Sequence, residues 1–306
     1  MFKPEKITST TGANLNLYVA LARNPAKGII QINHGMAEHG ARYERFCDFL
    51  NEHGYHAYVH DQRGHGHTKA DDAPLGVFAK RDGWQKVLED VNFINTHIRQ
   101  RHMGLPVICF GHSMGATIAL AYAQTYPDTI DGLAVWNSSE TGFMPGLLRQ
   151  LLKVERMFKG SDVPSMLAQK LTFEEWNKKF APNRTQFDWL SHDEAEVDKY
   201  VADPLCGFPV CVGLWIDLLS GLSETARSEA IAKIPANLPI NLRGGGDDPC
   251  SSMGKAATKL DVALRQSGHT NIDVKIIPDT RHECLNEINR NETMNDFTNW
   301  LRANFN

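Results

Sequence analysis

The chain has 306 residues, 42% hydrophobic and 22% charged, with a formal net charge of −4. That length suits one α/β core of roughly 200–250 residues carrying an insertion. The mildly acidic balance provides no basic field for a phosphate backbone, which argues against nucleic acid as a partner.

The N-terminus, Met1-Phe2-Lys3-Pro4-Glu5-Lys6, has no apolar run behind a basic stretch, and no uninterrupted apolar segment approaches the ~18 residues of a spanning helix. The expectation is a cytoplasmic protein. Residues 7–21, with Leu15, Leu17 and Val19 alternating, predict one or two antiparallel strands. Gly28 to Asn33 is a short β-branched run ending at His34-Gly35. Tyr43, Phe46, Phe49 and Leu50 share a helical face over 42–53, which Gly54 closes. Tyr55 to Val59 is a strand followed by a glycine-rich loop from Asp61. Trp84, Val87, Leu88, Val91, Ile94 and Ile98 mark a helix over 84–102. Pro106 to Phe110 is apolar but too short for a helix. A helix over 114–125 follows, then a strand from Ile130 to Trp136. The rhythm resumes with a strand at Ile240–Arg243, a helix over 252–267, a strand at Ile272–Ile277 and a closing helix over 284–305. Such alternation implies a mostly parallel sheet covered on both faces. Between residues 138 and 220 it breaks into helical spacing without a clear strand. The expected organisation is a core in two parts, 1–137 and 221–306, with a helical cap over 138–220.

The chemistry centres on Gly111-His112-Ser113-Met114-Gly115, a G-x-S-x-G pattern with an apolar strand before it and a helix after it. A sharp strand-to-helix turn needs small residues on both sides of the serine, and it lifts the hydroxyl above the sheet. This nucleophile elbow identifies the α/β-hydrolase fold and makes Ser113 the candidate nucleophile. Aspartate there would have indicated a dehalogenase. Serine needs a base, and in this fold the chain order is Ser, then acid, then His. His282 leaves the last strand at the ligand-binding edge of the sheet, whereas His269, after Gly268, reads as a solvated turn. The acid is Asp247 or Asp248. The spacing from Gly245 and the following Pro249 favour Asp248. The oxyanion donors expected are the amides of Met114 and of Met36, in the loop His34-Gly35-Met36-Ala37-Glu38-His39-Gly40. His34, Glu38 and His39, and His65 and His67 with Asp71, lack the H-E-x-x-H spacing and read as loop hydrogen-bonders rather than metal ligands. The six cysteines are scattered without a C-x-x-C pair, which points to free thiols. Cys250 lies two residues from the acid.

Five of these segments together resemble the monoacylglycerol lipases and bacterial lysophospholipases. They are the His34–His39 loop, Asp61-Gln62-Arg63-Gly64-His65-Gly66-His67-Thr68, the elbow, and the Asp248 and Arg281-His282 segments. The resemblance extends from about residue 10 to residue 302 and is weakest in the cap. It implies a triad of Ser113, Asp248 and His282, an oxyanion hole of the Met36 and Met114 amides, a structural role for the D-x-R-G-H-G element, and no cofactor. The acid loop, with Pro249, differs from that of the mammalian lipases.

The substrate expected is a lipid-like ester. Met144, Leu147, Leu148, Leu151, Leu152 and Phe158 fall on one helical face, with Arg149, Lys153, Arg156 and Lys159 largely elsewhere, so the cap provides an apolar roof and a candidate membrane contact. The alternatives are a short-chain carboxylesterase or lactonase, an aminopeptidase or amidase, and a non-catalytic binding protein.

Overall fold

The apolar runs become a single twisted sheet. The computed structural model describes Phe2 and residues 4–305. Its strands are β1 (Pro4–Thr8), β2 (Asn14–Ala20), β3 (Gly28–Asn33), β4 (Tyr55–His60), β5 (Val107–His112), β6 (Gly132–Trp136), β7 (Ile240–Gly245) and β8 (Ile272–Ile277). They lie side by side in the order β1-β2-β4-β3-β5-β6-β7-β8. β1 pairs antiparallel with β2, and β2 antiparallel with β4. Every other pairing is parallel. This is the α/β-hydrolase architecture expected from the sequence.

β3, β5, β6 and β7 are buried at every residue, as strands covered on both faces must be. One face packs on α2 (Gly83–Arg101) and α3 (Met114–Thr125). The other packs on α1 (Glu44–Glu52), where Phe46, Phe110, Trp136 and Phe297 interlock with ring centroids 5.0–5.8 Å apart. Each such ring stabilises the core by about 2–3 kcal/mol through burial. In α3, Met114 through Gln124 are all buried, so this helix lies inside the molecule rather than on it.

Between β6 and β7 the chain forms α4 (Phe143–Lys159), α5 (Met166–Gln169), a single π-turn at Lys170–Glu174, α6 (Glu175–Lys178), α7 (Glu194–Ala202), α8 (Val212–Thr225) and α9 (Ser228–Ile231). α8 packs on α3 and α4, which seats these helices over the C-terminal ends of the strands. The chain then completes the sheet with β7, α10 (Lys255–Gln266), β8 and α11 (Arg290–Phe305).

Three local expectations are corrected. The closing helix is not continuous over 284–305: a 3-10 turn at Cys284–Asn286 precedes α11. Between them the buried Glu287 accepts the amides of Arg281, His192 and Ile288, holding the chain in a loop. His269 is not solvated. It is 3% exposed, with its ring between the carbonyls of Leu264 and Ile234. The apolar face of α4 is not uniformly buried either. Leu148 and Leu152 face the core, Met144, Leu147 and Leu151 border a cavity, and Phe158 is 84% exposed.

Candidate active site

Five strand ends converge on one place. β5 delivers Ser113, β7 leads to Asp248, the loop after β8 carries His282, and the loop after β3 carries Met36. β6 ends beside Asn137. Ser113 sits at φ 57° and ψ −119°, a strained conformation for a residue with a side chain. The glycines around it explain the motif. A Cβ on Gly111 would lie 2.0 Å from the carbonyl oxygen of Gly115, and a Cβ on Gly115 would lie 2.0 Å from that of Asn33.

His282 Nε2 lies 2.8 Å from Ser113 Oγ, and His282 Nδ1 lies 3.0 Å from Asp248 Oδ2. Asp248 is fully buried. Its other oxygen accepts the Cys250 amide, and Asn137 Nδ2 also donates to Oδ2. Burial pushes the Asp248 carboxyl up, but His282 and the hydrogen bonds around it outweigh burial and hold it below the usual carboxylate range. Asp247 is not part of this chain: it faces His192 at 3.7 Å, at the rim. The sequence favoured Asp248 and missed Asn137, whose position at the end of a central strand was the available signal.

Met36 and Met114 border the same small cavity as Ser113 and His282. Among the described residues neither amide donates to a protein acceptor. The Met114 amide opens α3, where the helix dipole adds to its attraction for negative charge.

A buried ionic network lies behind this cavity, and nothing in the residue spacing announced it. Glu38 Oε1 accepts the Gly35 amide at 2.6 Å and the Tyr43 hydroxyl at 3.0 Å, and Oε2 accepts from Arg42. Arg42 also donates in a bidentate fashion to Glu283 at 2.7 and 2.8 Å. Burial alone would lower the Arg42 guanidinium, but the two carboxylates hold it well above its ordinary value. His112 Nε2 donates to the His282 carbonyl, and its Nδ1 faces Glu38 at 3.7 Å. Burial disfavours the His112 cation, yet Glu38 reverses this and raises it.

The remaining singled-out residues serve the loops. His34 joins the Gly35 carbonyl to the Gln62 amide, and His39 pairs with Asp203 at 2.8 Å. Asp61 accepts from Gly40, Asn16 and His67, and the buried Arg63 ties the 61–68 loop to Phe78, Asp72 and Asp90. All six cysteines are free and buried. Cys250 borders the cavity beside Ser139, but burial pushes its thiol well up, so it stays a thiol and a poor nucleophile.

The helices after β6 grip both active loops. The amides of His282 and Glu283 donate to the carbonyls of Trp189 and Leu190, and Arg281 donates to those of Asp188 and Ser191. On the opposite side the Tyr200 hydroxyl and the Gly207 amide donate to the carbonyl of Ala37, which sits at φ 53°. Beyond the small cavity lies one of about 560 Å³, bordered by Met144, Leu147, Leu151 and Leu219, among others, and sharing Trp176, Trp215 and Leu218 with the first. A hydroxyl, a base, a buried carboxylate and two free amides beside an apolar cavity can support acyl transfer.

Comparison with known proteins agrees with this chemistry. Residues 24–289 match the family described as serine aminopeptidase, S33. A monoglyceride lipase of Rattus norvegicus is 27% identical, covering 86% of this chain and 81% of that protein. A monoacylglycerol lipase of Mycolicibacterium smegmatis is 25% identical over 90% of this chain and 88% of that one. Among solved structures, a thermostable carboxyl esterase from Bacillus coagulans superposes with a TM-score of 0.91 at 25% identity, covering 100% of this chain and 99% of the other. No described helix is long and apolar enough to cross a membrane.

Proposed function

The chain belongs to the serine aminopeptidase S33 family of α/β-hydrolases, and from that premise we propose that it hydrolyses carboxylic esters of the monoacylglycerol type through an acyl-enzyme on Ser113. The observation that carries the reading is the unbroken relay from Ser113 Oγ through His282 to the buried Asp248, opening on a small cavity that adjoins a larger apolar one. His282 takes the serine proton as Ser113 attacks the ester carbonyl. Asp248 holds the imidazole and stabilises its cation, and the Met36 and Met114 amides hold the oxyanion. His282 then protonates the departing alcohol, and water repeats the sequence to release the acid. The segment 138–220 acts as the cap whose apolar residues receive the acyl chain. The exposed Met144, Met157 and Phe158 on α4 suit contact with a lipid surface. Lipases and an esterase among the relatives favour esters over amides.

The test measures fatty-acid release from matched monoacylglycerol, lysophospholipid and short-chain esters by the parent chain and by Ser113→Ala. The expected result is monoacylglycerol cleavage that falls by roughly 10⁴-fold or more in the variant, with an unchanged unfolding curve. Cleavage of short esters alone would defeat the lipid reading. Equal turnover by the variant would defeat the role of Ser113.

A further inference from the structure

The acid of the triad is held by a residue that the proposed hydrolysis has not used. Asn137 follows β6, fully buried, at φ 50°, a left-handed backbone that asparagine tolerates better than most residues with a side chain. The sheet fixes its place. Its amide donates to the Arg243 carbonyl on β7, and the Trp136 carbonyl just before it accepts the Ser113 amide. Asn137 borders neither the small triad cavity nor the large apolar one. Its side chain joins the acid to the loop of the base instead. Nδ2 donates to Asp248 Oδ2 at 3.1 Å, the same oxygen that faces His282 Nδ1 at 3.0 Å, and Oδ1 accepts from the Cys284 thiol at 2.9 Å.

That thiol decides which way the amide faces. Cys284 is fully buried, and burial, with the Asp248 charge adding to it, pushes the thiol well up, so it keeps its proton and acts as a donor. Turned over, the amide would set its oxygen against the Asp248 carboxylate and its N–H groups against the thiol proton. Both contacts are unfavourable, so one orientation survives. Asp248 is then held at both oxygens, by the Cys250 amide on Oδ1 and by Asn137 on Oδ2, which keeps the carboxylate in line with the imidazole. A second donor on Oδ2 also takes up part of the charge that would otherwise act on the imidazolium alone.

Resting on ester hydrolysis at Ser113, we propose that Asn137 is a positioning residue of the triad: oriented by the Cys284 thiol, its amide holds Asp248 Oδ2 against His282 Nδ1 and limits how tightly the acid retains the imidazolium. The carboxylate so placed keeps the imidazole proton on Nδ1 and leaves Nε2 bare towards Ser113. Asn137 acts on the base only through Asp248.

The experiment compares Asn137→Ala with the parent on a monoacylglycerol. Loss of the donor should lower kcat on the order of tenfold with KM unchanged. It should also move the acid limb of the kcat/KM profile to higher pH, because an acid stripped of one donor holds the imidazolium more tightly. The other titratable groups around the imidazole stay in place: His112 on β5, with ring centroids 4.9 Å apart, Glu38 and Glu283 with Arg42 between them, and the Cys250 and Cys284 thiols. A limb that stays where it is or moves to lower pH would overturn the proposal, as would the parent kcat in the variant. A second pair leaves Asn137 untouched. Cys284→Ser keeps a donor for Oδ1 and should hold kcat near the parent value, whereas Cys284→Ala lets the amide turn and should lower kcat several-fold with the limb moved in the same direction. Equal kcat in these two variants would also overturn it. If the parent neither cleaves the ester nor takes a fluorophosphonate on Ser113, the hydrolase reading itself fails; if it does both and the variants behave as it does, only the role of Asn137 fails.

Discussion

Replacing Arg42 by methionine tests whether the buried ion network supports the site. Arg42 has a side chain only 11% exposed and bridges two carboxylates that are themselves 5% and 6% exposed. Its guanidinium also lies 4.8 Å from the Tyr200 ring centroid, so it touches the loop after β3, the loop after β8 and α7 at once. Methionine fills much of the same volume but carries no charge. Glu38 would keep the Gly35 amide and the Tyr43 hydroxyl, and Glu283 would keep Asn286 Nδ2. Both would lose their compensating cation. Stranding a buried charge in this way costs about 3–5 kcal/mol, a large part of the ~5–15 kcal/mol that separates folded from unfolded chains. The corresponding fall in Tm is about 5–8 °C. Arg42 helps to hold the Glu38 carboxyl well below the usual range, so without it Glu38 would titrate higher than in the parent and the deficit should shrink as pH falls from 8 towards 5. Arg42→Met/Glu283→Gln removes one of the two charges and should recover part of the loss. The assay is urea unfolding followed by tryptophan fluorescence at several pH values. A variant within 1 kcal/mol of the parent (~1 kcal/mol being the ordinary scatter of point substitutions) and with no pH dependence of the difference would refute the reasoning.

The elbow makes a paired prediction. Gly115→Ala places a Cβ where the Asn33 carbonyl oxygen stands, and the buried α3 cannot step aside, so a loss above about 3 kcal/mol is expected. Gly146→Ala on α4 meets nothing within 4 Å and should stabilise by up to about 1 kcal/mol. Thermal unfolding of the two variants checks both signs, and a folded Gly115→Ala with the parent Tm would contradict the steric account. On α8, burial pushes the Asp217 carboxyl from 3.8 up to about 6, with Arg156 opposing and Asp82 adding to the shift. Between those pH values the folded chain keeps a proton that the unfolded chain releases, so stability falls as pH rises through the window and the full penalty stands above it. Asp217→Asn should therefore stabilise by about 1–3 kcal/mol at pH 7.5 and by almost nothing near pH 4. Equal gains at the two pH values would show that charge is not the cause.

The sequence by itself determined the sheet and the elbow, and it pointed to Ser113, Asp248 and His282 as a candidate triad. Strands covered on both faces must be short, apolar and separated by helices, so their rhythm is local information. The turn at Ser113 allows no Cβ at Gly111 or Gly115, so a steric demand of the fold is written as two letters. Chain order then restricted the base and the acid to a few residues. Tertiary structure decided the rest, because those features arise between segments far apart in the chain. Arg42 meets Glu283 across 241 positions, and Tyr200 reaches the Ala37 carbonyl across 163. His269 read as a surface turn because nothing nearby reveals the Ile234 carbonyl that buries it. α4 read as one apolar face because helical spacing reports direction around an axis and not whether anything lies beneath each turn. The same holds for Trp189. Its sequence neighbourhood marks it only as an apolar residue, and its place on the ring of His282 exists only once the segment between β6 and β7 and the loop after β8 are folded together.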